Sequence, residues 1–167
     1  MSYEAAVVIR LPNCRDQPHG FFTFKDNITG VKRPLPKPCE SFKDLNENVK
    51  LEPCTKLPCR LKKGSNTHIT ISFTPETDIE DLTNSVHAEI LKVFFPFVGV
   101  NGNSVCGKIF DESDKPVSCP LKAGVKYTYK DSFPVLPFYP TITTLVKWSL
   151  ISNNKDVTCF EVPVRIS

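Results

Sequence analysis

The sequence predicts an all-β chain, an immunoglobulin-like antiparallel β-sandwich of two sheets, and three observations carry that prediction. After Cys39, apolar and polar residues alternate with period 2 along most of the chain, the pattern of strands with one buried face. Turn-forming clusters recur between these runs, at KKGSN (62 to 66), VNGNS (100 to 104), LKAGV (121 to 125) and ISNNKD (151 to 156). Helical periodicity is almost absent; the one helical stretch is a single turn at PETDIEDL, where Thr77 would cap and Glu80 stands three residues on. Six or seven short strands with almost no helix make a sandwich.

Taken in order, residues 1 to 38 show no sustained period and include the proline-rich PLPKP at 34 to 38, so they read as an irregular N-terminal extension to a domain at 39 to 167. MSYEAAVVIRLPNC carries Glu4 and only a five-residue apolar run, Ala5 to Ile9, below the ~7 to 15 residues of a signal-peptide core. It reads as an atypical or replaced leader. The one N-x-S/T sequon, at Asn27, is a glycan acceptor in a secreted chain. The first strand of the domain is expected at Glu47 to Leu51. HITISFT then turns Ile69, Ile71 and Phe73 inward and Thr70 and Ser72 outward.

Val86 to Phe95 reads as one continuous strand, and VKYTYK turns Val125, Tyr127 and Tyr129 inward. TITTLVKWSL sets Ile142, Thr144, Val146, Trp148 and Leu150 against Thr143, Leu145, Lys147 and Ser149. The last strand, CFEVPVRI, buries Phe160, Val162, Val164 and Ile166. Its Pro163 cannot donate a ladder hydrogen bond, so this strand is expected at an edge or with a bulge at that residue. Trp148 lies just before the last cysteine, not between two sheet-bridging ones, which excludes the antibody-type core pin.

At 167 residues, the chain is long enough for one domain with a sizeable core. Its longest uncharged apolar run falls far short of the ~20 residues that span a bilayer. The net charge of +3 comes from scattered lysines without a basic stripe, which excludes nucleic acid as partner. Seven cysteines suggest three disulfides and a spare thiol. A metal site is excluded because His19, His68 and His87 stand singly. A redox dithiol is excluded because CTKLPC puts four residues between its sulfurs. Structural cystines imply an oxidising compartment, so the chain is expected to be secreted, or held in the lysosomal lumen. No G-x-S-x-G elbow or paired acid constellation supports catalysis, and no cofactor is expected. His68 and His87 read as ordinary turn and strand histidines, and Lys62, Lys63, Lys122 and Lys126 as a solvated face with a weak attraction for anionic head groups.

VFFPFVG (93 to 99) and DSFPVLPFYP (131 to 140) place bulky rings beside prolines at strand ends. Leaving a phenylalanine at a rim forgoes ~1.5 to 3 kcal/mol of burial, so a rim of this kind suggests a use. Periodicity alone does not distinguish a hollow sandwich from a filled one.

Several segments together resemble a known family: PCTKLPCRLKKG (53 to 64), SVHAEILKVFFPF (85 to 97), CPLKAGVKYTYKDSFPVLPFYPTI (119 to 142), and VKWSL followed by CFEVPVRI. It is the MD-2-related lipid-recognition (ML) family, on its Niemann-Pick type C2-like side, which includes many secreted arthropod carriers. The resemblance implies a sandwich holding a lipid between its sheets, with disulfides Cys39–Cys159, Cys54–Cys59 and Cys106–Cys119 and no partner for Cys14. It places Phe97, Val135 and Tyr139 at the mouth of the pocket. The inward alternation then supplies the walls: Leu61, Ile69, Ile71, Val146, Trp148 and Val162, with Phe95 beside them. The function implied is a soluble lipid-binding and lipid-transfer protein. Its partners would be a sterol, fatty acid or other small apolar ligand, and transiently a membrane or membrane transporter, with the carrier a monomer. The alternative is an extracellular recognition module for a lipid-bearing surface or a protein. The loop GKIFDESDKPVS (107 to 118) is longer and more acidic than in the family's sterol carriers, and Val105 and Gly107 replace a polar-then-basic pattern around Cys106. Ala88 and Lys92 replace small residues of the motif, with an expected effect on pocket width.

Overall fold

The structure, a computed structural model, describes residues 23–25, 32–34, 39–41 and 47–167. The chain divides into two units, Met1–Pro38 and Cys39–Ser167. In the first, read from sequence as irregular, β1 (Thr23–Lys25) and β2 (Lys32–Pro34) form a short antiparallel ladder. Cys14 and Asn27 lie outside the described residues.

In the second unit one sheet has five strands in the order β10-β9-β11-β6-β4. These are β4 (Val49–Glu52), β6 (Asn66–Phe73), β9 (Ile109–Phe110), β10 (Pro116–Val117) and β11 (Tyr127–Pro134). Facing it, the other sheet runs β3-β13-β12-β7-β8, with β5 also paired to β13. Its strands are β3 (Glu40–Ser41), β5 (Cys59–Leu61), β7 (Thr83–Ile90), β8 (Val93–Pro96), β12 (Ile142–Ser152) and β13 (Lys155–Ile166). Both β3 and β5 run parallel to β13, so this sheet is mixed where the sequence suggested antiparallel pairing throughout. The two-sheet architecture is the one the alternation predicts. Val49, Leu51, Ile69, Ile71 and Phe73 of one sheet and Val86, Val146, Trp148, Leu150, Phe160, Val162 and Val164 of the other form a single buried core. The structure joins Cys39 to Cys159, Cys54 to Cys59 and Cys106 to Cys119.

Four local expectations are corrected. First, the run Val86 to Phe95 is not one strand. It is the hairpin of β7 and β8, in which Ile90 pairs with Val93 and the chain reverses through Leu91 and Lys92, both at positive φ (52° and 63°). That conformation is the one a two-residue hairpin turn requires, here built without glycine or asparagine. Second, PETDIEDL forms no helix: Ile79 and Leu121 exchange backbone hydrogen bonds of 2.9 and 2.8 Å, and Ile79 and Leu82 are buried. Two long-range bonds and two buried side chains outweigh a single helical turn, whose nucleation is costly.

Third, Pro163 is neither at an edge nor in a bulge. β13 has β12 on one side and β3 and β5 on the other, and Pro163 falls in the gap between Phe160–Glu161, opposite β3, and Val164–Ile166, opposite β5. The irregularity in the β12–β13 register lies instead at Leu150/Ile151. Fourth, Val125 precedes β11 and stays 40% exposed, so the inward alternation begins at Tyr127.

Candidate functional site

The inner faces of the two sheets enclose a narrow apolar slot. Leu51 of β4, Ile69 of β6 and Phe133 of β11 line it from the five-stranded sheet. Leu61, Val86, Val146, Trp148, Phe160, Val162 and Val164 line it from the other sheet, and Phe97 lines it from the segment after β8. No ionisable side chain takes part. The space left between these walls is about 10 Å³, of the order of one water molecule.

Six of the residues expected from sequence meet here: Leu61, Ile69, Phe97, Val146, Trp148 and Val162. Ile71 and Val135 are fully buried but do not line the slot. Val135 is held by its backbone, accepting from Gly64 N at 2.7 Å and donating to Ser65 O at 2.8 Å, and so tethers the chain beside the slot. Phe95 does not line it either. It sits on the edge strand β8 opposite Ala88, 49% exposed, where no further strand of the described residues covers that side. Sequence reasoning left Leu51, Val86, Phe133, Phe160 and Val164 out of the walls. All five lie on inward-facing positions of their strands, so the signal that could have found them was the alternation already in use.

One end of the slot is closed by aromatic rings. Phe97 is held by its amide, which donates to Val86 O at 2.8 Å, and by its carbonyl, which accepts from Val100 and Asn101 at 3.1 and 3.0 Å. Asn101 Oδ1 in turn accepts from Val86 N at 2.8 Å. These bonds seat the ring, 5% exposed, with its centroid 5.7 Å from Phe133 and 5.0 Å from Tyr139, both edge-on. The Tyr139 hydroxyl donates to Val98 O at 3.2 Å, and partial burial raises its pKa above the ordinary phenol value. Outside these rings Val98 and Phe138 stand exposed, Phe138 at 73%. The exposed rim is therefore Val98 and Phe138, with Phe97 beneath it as a plug.

A polar network lies beside the slot, two positions along β7 from Val86, and sequence reasoning missed it. Trp148 Nε1–H donates to Asn84 Oδ1 at 3.0 Å, and Asn84 Nδ2–H donates to Tyr129 Oη at 2.8 Å. Tyr129 O–H donates to Asp131 Oδ2 at 2.7 Å, and Lys108 Nζ donates to Asp131 Oδ1 at 2.7 Å. Burial holds the Tyr129 phenol protonated, far above its ordinary pKa. Among the described residues each buried side-chain nitrogen and oxygen has a hydrogen-bond partner. Asn84 shares the parity of Val86 on β7, but a strand assigned from Val86 onward excluded it.

Among the described residues no three His, Cys, Asp or Glu groups come together to hold a metal. No helix of the described residues is long and apolar enough to cross a membrane.

Residues 37–166 match the family model of the ML domain. The ecdysteroid-regulated 16 kDa protein of Manduca sexta is 38% identical over 108 residues, 65% of this chain and 70% of that protein. The NPC intracellular cholesterol transporter 2 of Mus musculus is 31% identical over 134 residues, covering 78% and 83% of the two chains. Its homolog a in Drosophila melanogaster is also 31% identical, covering 71% and 77%. The crystal structure of a Niemann-Pick type C2 protein from the Japanese carpenter ant superposes with a TM-score of 0.62 at 24% identity, over 72% of this chain and 89% of that one. This last likeness shows a shared fold.

Proposed function

The chain belongs to the ML domain family, and from that premise we propose that it is a secreted carrier that takes up a sterol or fatty acid between its two sheets and releases it unchanged. The observation that carries this reading is the slot itself, walled on both sides by apolar side chains and closed at one end by the Phe97 plug. Relatives named as cholesterol transporters support the sterol side of it.

A space of about 10 Å³ is far smaller than any lipid, so uptake requires the sheets to part at the aromatic end. The energetics favour this. Parting breaks the two edge-on contacts of Phe97, together roughly 1 to 3 kcal/mol beyond burial. Wall area that leaves the opposite wall is covered again by ligand, so its burial is largely conserved. Removing about 300 Å² of ligand surface from water contributes roughly 7 to 8 kcal/mol at about 25 cal/mol per Å². The balance lies with loading, before the ordering costs of association. Three disulfides fit an oxidising compartment outside the cytosol.

The test is uptake by the folded protein of a fluorescent sterol and a fluorescent fatty acid, with lipid extraction and native mass spectrometry on protein purified from its source. Saturable uptake of one of them is expected, competed by the unlabelled lipid. A folded protein that retains no lipid and takes up neither probe would instead favour a recognition module.

A further inference from the structure

We propose that the outer face of β5 and β13, beside the Cys54–Cys59 loop, is a binding site for a phosphomonoester group; this stands independently of the carrier reading. β5 runs parallel to β13 with Arg60 opposite Arg165. The neighbouring residues Leu61 and Val164 turn into the slot, so both arginines lie on the outer face, exposed. Adjacent strands are about 4.8 Å apart, so the two side chains start side by side. Like charges directly opposite each other destabilise a sheet unless a charge of the other sign lies between them. Among the described residues no acid does so: the ion pairs are Lys108–Asp131, Lys122–Asp78 and Lys130–Asp114. The next acid on the outer face of β13 is Glu161, four positions back (165 − 161) and so roughly 13 Å along the strand. Glu52 lies on β4, in the other sheet, opposite His68.

The two arginines and Lys56 line a cavity of about 540 Å³, within the roughly 300 to 1,000 Å³ of small-molecule sites. It is separate from the slot between the sheets: no residue lines both. Its other wall is the loop that Cys54–Cys59 closes, which carries Thr55 and Lys56 between Pro53 and Pro58. The covalent closure and the two fixed proline φ angles hold this loop in one shape, so little order is lost on binding. Three cations, one hydroxyl and no carboxylate face the cavity. That donor set suits a tetrahedral dianion. Each guanidinium offers a fork of N–H groups that matches phosphate oxygens, and the Lys56 ammonium adds a point charge. A single carboxylate would leave most of this charge unanswered. The volume beyond the anion takes the organic part of the ester, against the two proline rings. Three cations in one concavity are too few for the stripe that tracks a polynucleotide.

Two probes test this on the full chain and separate a soluble ester from a lipid head group. One is calorimetric titration with glycerol 3-phosphate; the other is co-sedimentation with phosphatidylcholine vesicles that contain or lack phosphatidic acid. Saturable binding of at least one probe is expected, about tenfold or more tighter than acetate or the plain vesicles respectively. It should weaken about tenfold or more in Arg60→Gln and in Arg165→Gln. It should change less than about twofold in Lys155→Gln, which removes an equal charge from an exposed position on the same β13. Binding of glycerol 3-phosphate assigns the site to a soluble ester, and binding of the phosphatidic acid vesicles alone assigns it to a head group. Glycerol 3-phosphate, where it binds, should also raise the thermal midpoint of the parent more than that of either arginine variant, a comparison that cancels the general stabilisation phosphate gives a fold. Binding of neither probe, acetate bound as tightly, or an affinity untouched by the arginine changes or lowered equally by Lys155→Gln would overturn the proposal.

Discussion

Phe97 has two roles that conflict in any simple mutational test. It lines the slot and it plugs it, so Phe97→Ala should both impair lipid uptake and cost about 3 to 5 kcal/mol of stability, read from denaturant midpoints. Tyr139→Phe is cleaner: it removes only the hydroxyl bond to Val98 O, should cost about 1 kcal/mol, and should speed lipid exchange by loosening the rim. Asp78 offers a test with a worked sign. Its carboxylate accepts from the Ala123 N–H and from Lys122, which lowers its pKa below 3.8, while Asp78 raises that of Lys122 above 10.5. The Asp78 contribution is therefore complete above 3.8 and lost as pH falls through its lowered folded value. That of Lys122 is complete below 10.5 and lost as pH rises through its raised folded value. The deficit of Asp78→Asn relative to the parent should stay constant from about pH 5 to about pH 9 and shrink in stronger acid, measured by urea titration across pH.

At the scale of elements, the β7–β8 hairpin illustrates how far local chemistry reaches. Nothing in Ile90-Leu91-Lys92-Val93 spells a turn, and both central residues hold the left-handed conformation without the glycine or asparagine that favours it. The pairing of Ala88 with Phe95 and His87 with Pro96 imposes it. Leu91→Asn with Lys92→Gly should therefore stabilise the protein, by about 1 kcal/mol, visible as a raised denaturant midpoint with unchanged slope. The segment 75–82 is the opposite case: its capping pattern was legible, but Leu121, 42 positions beyond Ile79 in sequence (121 − 79), takes its backbone bonds. Both errors have one cause, since a partner distant in sequence outweighed a preference worth a fraction of a kcal/mol per residue. The central strands were read correctly because burial on one face writes itself into every second residue of β6, β12 and β13.

For the molecule as a whole, the Cys39–Cys159 bond spans 120 positions and ties β3 to β13, which the ladder also pairs. In the chain-entropy model its loss through Cys39→Ser with Cys159→Ser should cost about 4 to 5 kcal/mol, against less for either shorter closure, measured by thermal unfolding of the folded variants. Lipid at a hundred times its dissociation constant should add about 2.7 kcal/mol, a thermal shift that a non-ligand lipid does not produce. Alternation and turn chemistry by themselves determined that residues 39–167 make two sheets around one apolar core, because one-sided burial is a local, repeating demand on side chains. Which inward residues wall the slot, that Phe97 lies under the rim instead of on it, and that Asn84 meets Tyr129 across the sheets were decided only in three dimensions. Each depends on which strands face each other and in what register, and a period-2 pattern is the same for every register that keeps its apolar face inside.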